Sequence, residues 1–201
     1  MNSRNINEYS QAAREALFGS VVSDAAEYIT RRMLYTNAGA SNATYVGVAL
    51  SLATNQATTI TSGFTNPDFP RVLSIQGSIT NLSGPITITG TDILGNTISS
   101  TVTVNNEDVV VGTRAFNTIT SVSTPTQATT NGTFNIGITP RFGLDRLPDD
   151  NAVILGLVDG TRETTAPVIT ADAEISKSVV LFTTLPDGSK DFTLYYIGRD
   201  L

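Results

Sequence analysis

Ala13, Leu17, Val21, Ala25, Ile29 and Met33 recur at four-residue intervals, with Ala, Glu and Arg between them. Residues four apart share one face of an α-helix, so the spacing predicts an amphipathic N-terminal α-helical arm over residues 1–36. Gly19 and Ser20 fall in its middle and are expected to weaken or split it, since glycine costs ~1 kcal/mol relative to alanine inside a helix. Such an arm either folds back on its own domain or reaches a neighbour, and Leu17, Val21, Ile29 and Met33 are its candidate assembly contacts. On this reading, deleting Met1 to Tyr35 leaves the rest folded and weakens assembly.

Residues 37–42 have the small, polar composition of a linker, and beyond them the period changes from helical to alternating. Short runs rich in β-branched residues follow at residues 45–53, 57–61 and 71–79, separated by turn signals. The clearest hairpin spans residues 85–104: Ile86 and Ile88 alternate with threonines, 92–96 supplies the turn, and Ile98, Val102 and Val104 continue beyond it. Residues 109–111, 115–122 and 133–139 carry the pattern on. Two prolines, a glycine and three aspartates in 140–150 predict a loop and a point of subdivision. Three more strands are expected at 152–158, 175–183 and 192–198, the last two joined by the tight turn Leu185-Pro186-Asp187-Gly188. Tyr195 and Tyr196 adjoin in the last strand, so one should face the core and the other the surface. The fold class is mainly β: a β-sandwich over residues 43–201, with a jelly roll as one form of it, behind an N-terminal α-helical arm.

Composition narrows the chemistry. The chain has no histidine and no cysteine, which removes Ser-His-Asp and Cys-His nucleophiles, thiolate zinc sites and disulfides. An enzyme would have to be a paired-carboxylate hydrolase, and Glu107-Asp108 and Asp149-Asp150 are the adjacent acidic pairs available to it. Both fall in expected loops, where consecutive acids are usually solvated. Asp92-Ile93-Leu94-Gly95-Asn96 reads as a turn rather than a calcium loop, and there is no phosphate-binding glycine motif. No catalytic residue, cofactor or metal is therefore expected. Three matches to the glycosylation acceptor pattern, at Asn42, Asn81 and Asn131, are attributed to chance in so Thr- and Asn-rich a chain.

Charged residues make up only 15% of the chain, against roughly a quarter in an average domain, so part of the surface is expected to be covered by other subunits. The formal net charge of -6 has the wrong sign for wrapping DNA. Arg31-Arg32 is the sole adjacent pair among ten arginines and two lysines, too small for a basic track. No apolar run approaches the ~20 residues of a membrane span, and Met1 to Asn7 lacks the pattern of a signal peptide. Neither nucleic acid nor membrane is an expected partner, and the protein is expected to be made in a cytoplasm.

Ala57-Thr58-Thr59-Ile60-Thr61-Ser62-Gly63-Phe64-Thr65-Asn66-Pro67-Asp68-Phe69-Pro70-Arg71, with Ile86-Thr87-Ile88-Thr89-Gly90-Thr91-Asp92 and Gly112-Thr113-Arg114-Ala115-Phe116, resembles small structural proteins of tailed bacteriophage particles, of the capsid decoration or cement kind. The likeness continues more loosely to Tyr195-Tyr196. The resemblance implies a virion protein on the capsid exterior, made in the host bacterium, binding the major capsid protein and itself, with a trimer expected because such proteins often sit on local threefold axes. A tail, neck or baseplate component is the alternative within the same particle, and a receptor- or glycan-binding module is a further one. Pro67 and Pro70 each fix their own backbone and bias the preceding residue away from helix, giving a rigid bend across which Asp68 can pair with Arg71. Pro67, Asp68, Pro70 and Arg71 complete the candidate assembly contacts.

Overall fold

The computed structural model describes residues 28–51, 56–78, 83–126 and 132–199. It is built of antiparallel strands in three sheets. The chain runs β1 (Tyr28–Tyr35), β2 (Asn42–Ser51), β3 (Thr58–Ile60), β4 (Arg71–Gly77), β5 (Ser83–Thr91), β6 (Thr97–Asn105), β7 (Val109–Phe116), β8 (Thr118–Thr124) and β9 (Thr133–Gly143). It continues through β10 (Leu147–Val158), β11 (Thr161–Arg162), β12 (Val168–Thr170), a 3-10 turn at Ile175–Lys177, β13 (Val179–Leu181) and β14 (Phe192–Arg199). The first sheet has the order β1-β14-β10-β11, the second β12-β13-β9-β4-β7 with β2 also on β9, and the third β3-β8-β5-β6.

Period-two alternation explains the two larger cores. Ile86, Ile88, Val102, Val104, Ile119 and Val122 of the third sheet meet Val46, Leu73, Ile75, Phe134, Ile136 and Ile138 of the second, giving a sandwich. A second core gathers Tyr35, Phe192, Leu194 and Tyr196 of the first sheet against Phe142, Leu144, Val180 and Phe182. One strand, β9, feeds both. Its first half pairs with β2, its last three residues with β13, and β4 flanks its other side. Pro140 sits where the partner changes and opposite the irregularity in β4 between Arg71 and Leu73. That is a place where a strand tolerates a missing N–H.

The predicted hairpin over 85–104 is present as β5 and β6. Its turn is held by Asp92, whose buried carboxylate accepts the N–H groups of Leu94 and Asn96 at 2.9 Å each. The helical arm is corrected. Residues 28–35 are a strand paired residue for residue with β14, and the part of the arm before Tyr28 lies outside the described residues. Ile29 and Met33 are four apart, an even spacing, and therefore share a face in a strand as well as in a helix. The alternation of exposed Tyr28, Thr30, Arg32 and Leu34 with more buried neighbours is the strand signature.

The loop expected over 140–150 is also corrected: β9 continues through Pro140 to Gly143, β10 begins at Leu147, and only residues 144–146 lie outside the strands, although the register of β10 on β14 breaks between Pro148 and Val153. The turn at Leu185-Pro186-Asp187-Gly188 does not close a hairpin. It carries the chain from β13 in the second sheet to β14 in the first, because β14 pairs with β1 and β10 instead. Of the stretch 175–183, only Val179–Leu181 is strand.

Candidate functional site

Three features compete as sites: the proline corner, the outer face of the first sheet and the free edge of the second.

The corner is an internal brace. Pro67, Pro70 and Arg71 are buried, and the Arg71 guanidinium meets Asp68 twice, Nε to Oδ1 and Nη2 to Oδ2, both at 2.7 Å. Nη2 also donates to the Gly39 carbonyl at 2.8 Å and Nη1 to that of Thr139 at 3.1 Å, while the cation lies 4.4 Å from the centroid of the Phe142 ring. Asp68 in turn accepts the N–H of Gly39 at 2.8 Å and of Phe69 at 3.0 Å. Burial pulls the Arg71 pKa down from its ordinary value and Asp68 pushes it back, so the group remains a cation held by its partner. The pairing foreseen across the bend is there, and it spends its polar atoms inside the chain.

In the first sheet, one face packs on the second core and the other looks outward. Ile29 and Met33 lie half-buried on the inner side, Met33 against that core. Leu17 and Val21 lie outside the described residues. Cross-strand registers put Leu34, Thr193 and Leu157 in one outward row, Arg32, Tyr195 and Leu155 in the next, then Thr30 with Ile197, and Tyr28 with Arg199. Tyr195 is outward and half-buried and Tyr196 is fully buried, the division expected of adjoining tyrosines.

The phenol of Tyr196 donates to Asp145 at 2.7 Å, that of Tyr35 to the Gly143 carbonyl at 3.0 Å. Burial, more than neighbouring charge, raises the pKa of both above the ordinary 10.0. Folding thus favours the protonated phenols. Their contribution is whole below pH 10 and is lost as the pH climbs above it, because the unfolded chain releases these protons first. Stability should be flat from pH 7 to 9, begin to fall near pH 10, and above that drop by about 1.4 kcal/mol per pH unit for each of the two. Denaturant midpoints from pH 8 to 11.5, followed with tyrosinate absorbance, check this: two of the six tyrosines should ionise only with unfolding.

The third feature went unnoticed in the sequence. Among the described strands, β7 ends the order of the second sheet, so one side of it is an edge there. Val110 packs against the first core, whereas Val109 and Val111 are 55% and 45% exposed. Beside them lies a shallow depression of ≈ 320 Å³ walled by Ala43, Ser74, Val109, Val111, Ile138 and Pro140. Gly137 forms part of the neighbouring β9 surface. A Cβ there would fall 2.3 Å from the Asn42 carbonyl oxygen, so only glycine lets β2 cross so close. Three consecutive valines announce a strand, but nothing local says that it stands last in its sheet among the described strands.

Among the described side chains, those of the acidic pairs are not brought together into a site. Glu107 and Asp108 are exposed in the turn before β7. Asp149 lies in β10 and meets Arg199 at 3.4 Å, and Asp150 is also within that strand rather than in a loop. Among the described residues no three acidic side chains are grouped to hold a metal ion, and no helix is long and apolar enough to cross a membrane. Comparison of the chain with protein-family models, with curated proteins and with solved structures found no match.

Proposed function

We propose that this chain is a structural virion protein of a tailed bacteriophage that binds the capsid shell as a decoration or cement protein, docking through the edge of β7. The observation that carries the docking surface is a charge-free edge, Val109 to Thr113, beside an apolar depression. Edge strands are ordinarily blunted by charge, proline or a covering loop, and one that is not is a template for another chain's strand. The virion assignment rests on the phage-like sequence runs. These fall in the braced corner, in β5 and its turn, and in β7 itself. The low charge content fits a surface covered by neighbours.

In this reading the major capsid protein supplies an extended segment to β7, and copies of this chain associate with one another, a trimer being the first form to look for. Reinforcement is then linkage: a subunit bound across several shell proteins favours the assembled state by its binding free energy, summed over many sites.

The test is to mix the purified protein with phage heads lacking it and follow binding by sedimentation and imaging. Saturable binding with ordered density on the shell exterior is expected. Val111→Lys, which places a charge on the edge without touching either core, should weaken binding at least tenfold and leave the unfolding midpoint unchanged. Failure of the unaltered protein to bind heads, with density at the tail or neck of whole virions, would assign it there instead.

A further inference from the structure

The outer face of the first sheet is apolar and locally basic in an acidic protein. Leu34, Ile154 and Ile197 are 44%, 50% and 38% exposed, with Leu155, Leu157 and Tyr195 half-buried among them. Arg32 and Arg199 stand in the same outward rows, and Arg162 joins them opposite Leu157. Asp149, beside Arg199, is the acidic partner that the ion pairs place there.

The charges decide between occupants. Two copies packed through this face would set three arginines and one aspartate against the same set, a net like charge on both sides, and pairing β1 with another β1 would bring Arg31 and Arg32 against their like. Residues 1–27 have the opposite character: Glu8, Glu15, Asp24 and Glu27 against Arg4 and Arg14, with the apolar positions Ala13, Leu17, Val21 and Ala25 between them. They join the described chain at Tyr28, at the end of β1, so they are tethered to this face at a high effective concentration. Their reach matches it. The eight residues of β1 extend about 26 Å at about 3.3 Å each, and the 27 residues that precede Tyr28 are chain enough to cross that distance.

We propose that the segment bearing Ala13, Leu17, Val21 and Ala25 lies across the outer face of the first sheet and covers it within the same molecule. This cover is separate from the β7 edge, so it stands or falls independently of the shell-binding reading.

The absence of cysteine makes thiol labelling a clean test in the full chain. Single cysteines are placed at Ile197 and Leu34 on the face, and at Leu185, which is 59% exposed in the β13–β14 connection, as the reference. Labelling at 197 and 34 should be at least tenfold slower than at 185 and independent of protein concentration. Adding Leu17→Asp and Val21→Asp should bring 197 and 34 up to the reference rate and leave 185 unchanged. Equal rates at all three sites in the otherwise unaltered chain would overturn the proposal. So would protection that disappears on dilution, which would make a second copy the cover, or protection that survives the two aspartates.

Discussion

Replacing Asp68 with alanine is expected to destabilise the fold by about 3 kcal/mol, at the lower end of what stranding a buried charge costs because the Asp68 side chain is 20% exposed. The Arg71 side chain is fully buried and keeps only the carbonyls of Gly39 and Thr139 and the Phe142 ring once the carboxylate is gone. The Gly39 N–H loses its acceptor in the same step. The measurement is a denaturant titration of Asp68→Ala, Arg71→Met and the double variant. The double variant should be more stable than Asp68→Ala alone, because an apolar side chain of similar length needs no counter-charge. A single-variant cost under about 1 kcal/mol would show that the pair does not brace the corner, since that is the range of exposed pairs.

A chain that begins at Thr36 is expected to lose its cooperative unfolding transition, whereas one that begins at Tyr28 should keep it. The difference is β1. Tyr35 is 1% exposed, its ring stacks on Phe142 at 4.4 Å between centroids and meets Phe69 and Phe182 edge-on, and Met33 packs on the same core. Losing one such aromatic costs about 3–5 kcal/mol, against a whole-domain stability of about 5–15 kcal/mol. β14 would also lose all its partners on that side, exposing the edge of the strand that carries Phe192, Leu194 and Tyr196. Thermal unfolding followed by circular dichroism separates the two chains. A sharp transition in the shorter one would place the second core's stability elsewhere, and would restore the idea that everything before residue 36 is an appendage.

That idea arose from a spacing the chain uses twice. Ile29 and Met33 fit a four-residue repeat, and four is a multiple of two, so the interval alone does not separate helix from strand. The separating fact is β14, more than 150 positions away in sequence, which offers eight residues in register to pair with. The 140–150 region misled for a similar reason. Pro140 and Pro148 weigh against a strand when only neighbours in sequence are considered, yet Pro140 sits where two partners of β9 meet opposite an irregularity in β4, and Pro148 faces Gly198.

Alternation of β-branched residues with threonine and serine determined by itself that the chain is mainly β, and it located most strands and the β5–β6 hairpin, because a strand's side-chain period and a turn's backbone needs are local properties. The Asp68–Arg71 pair was legible for the same reason: its members are three residues apart on a proline-stiffened bend. Only the tertiary structure decided that β13 and β14 belong to different sheets, that β9 serves two cores, and that Pro67, Pro70 and Arg71 are buried. It also decided that β7 ends the second sheet among the described strands, and which of its valines are exposed. Those outcomes depend on which distant strands pair, and pairing is set by the burial of whole faces against one another, a quantity that no short stretch of sequence contains.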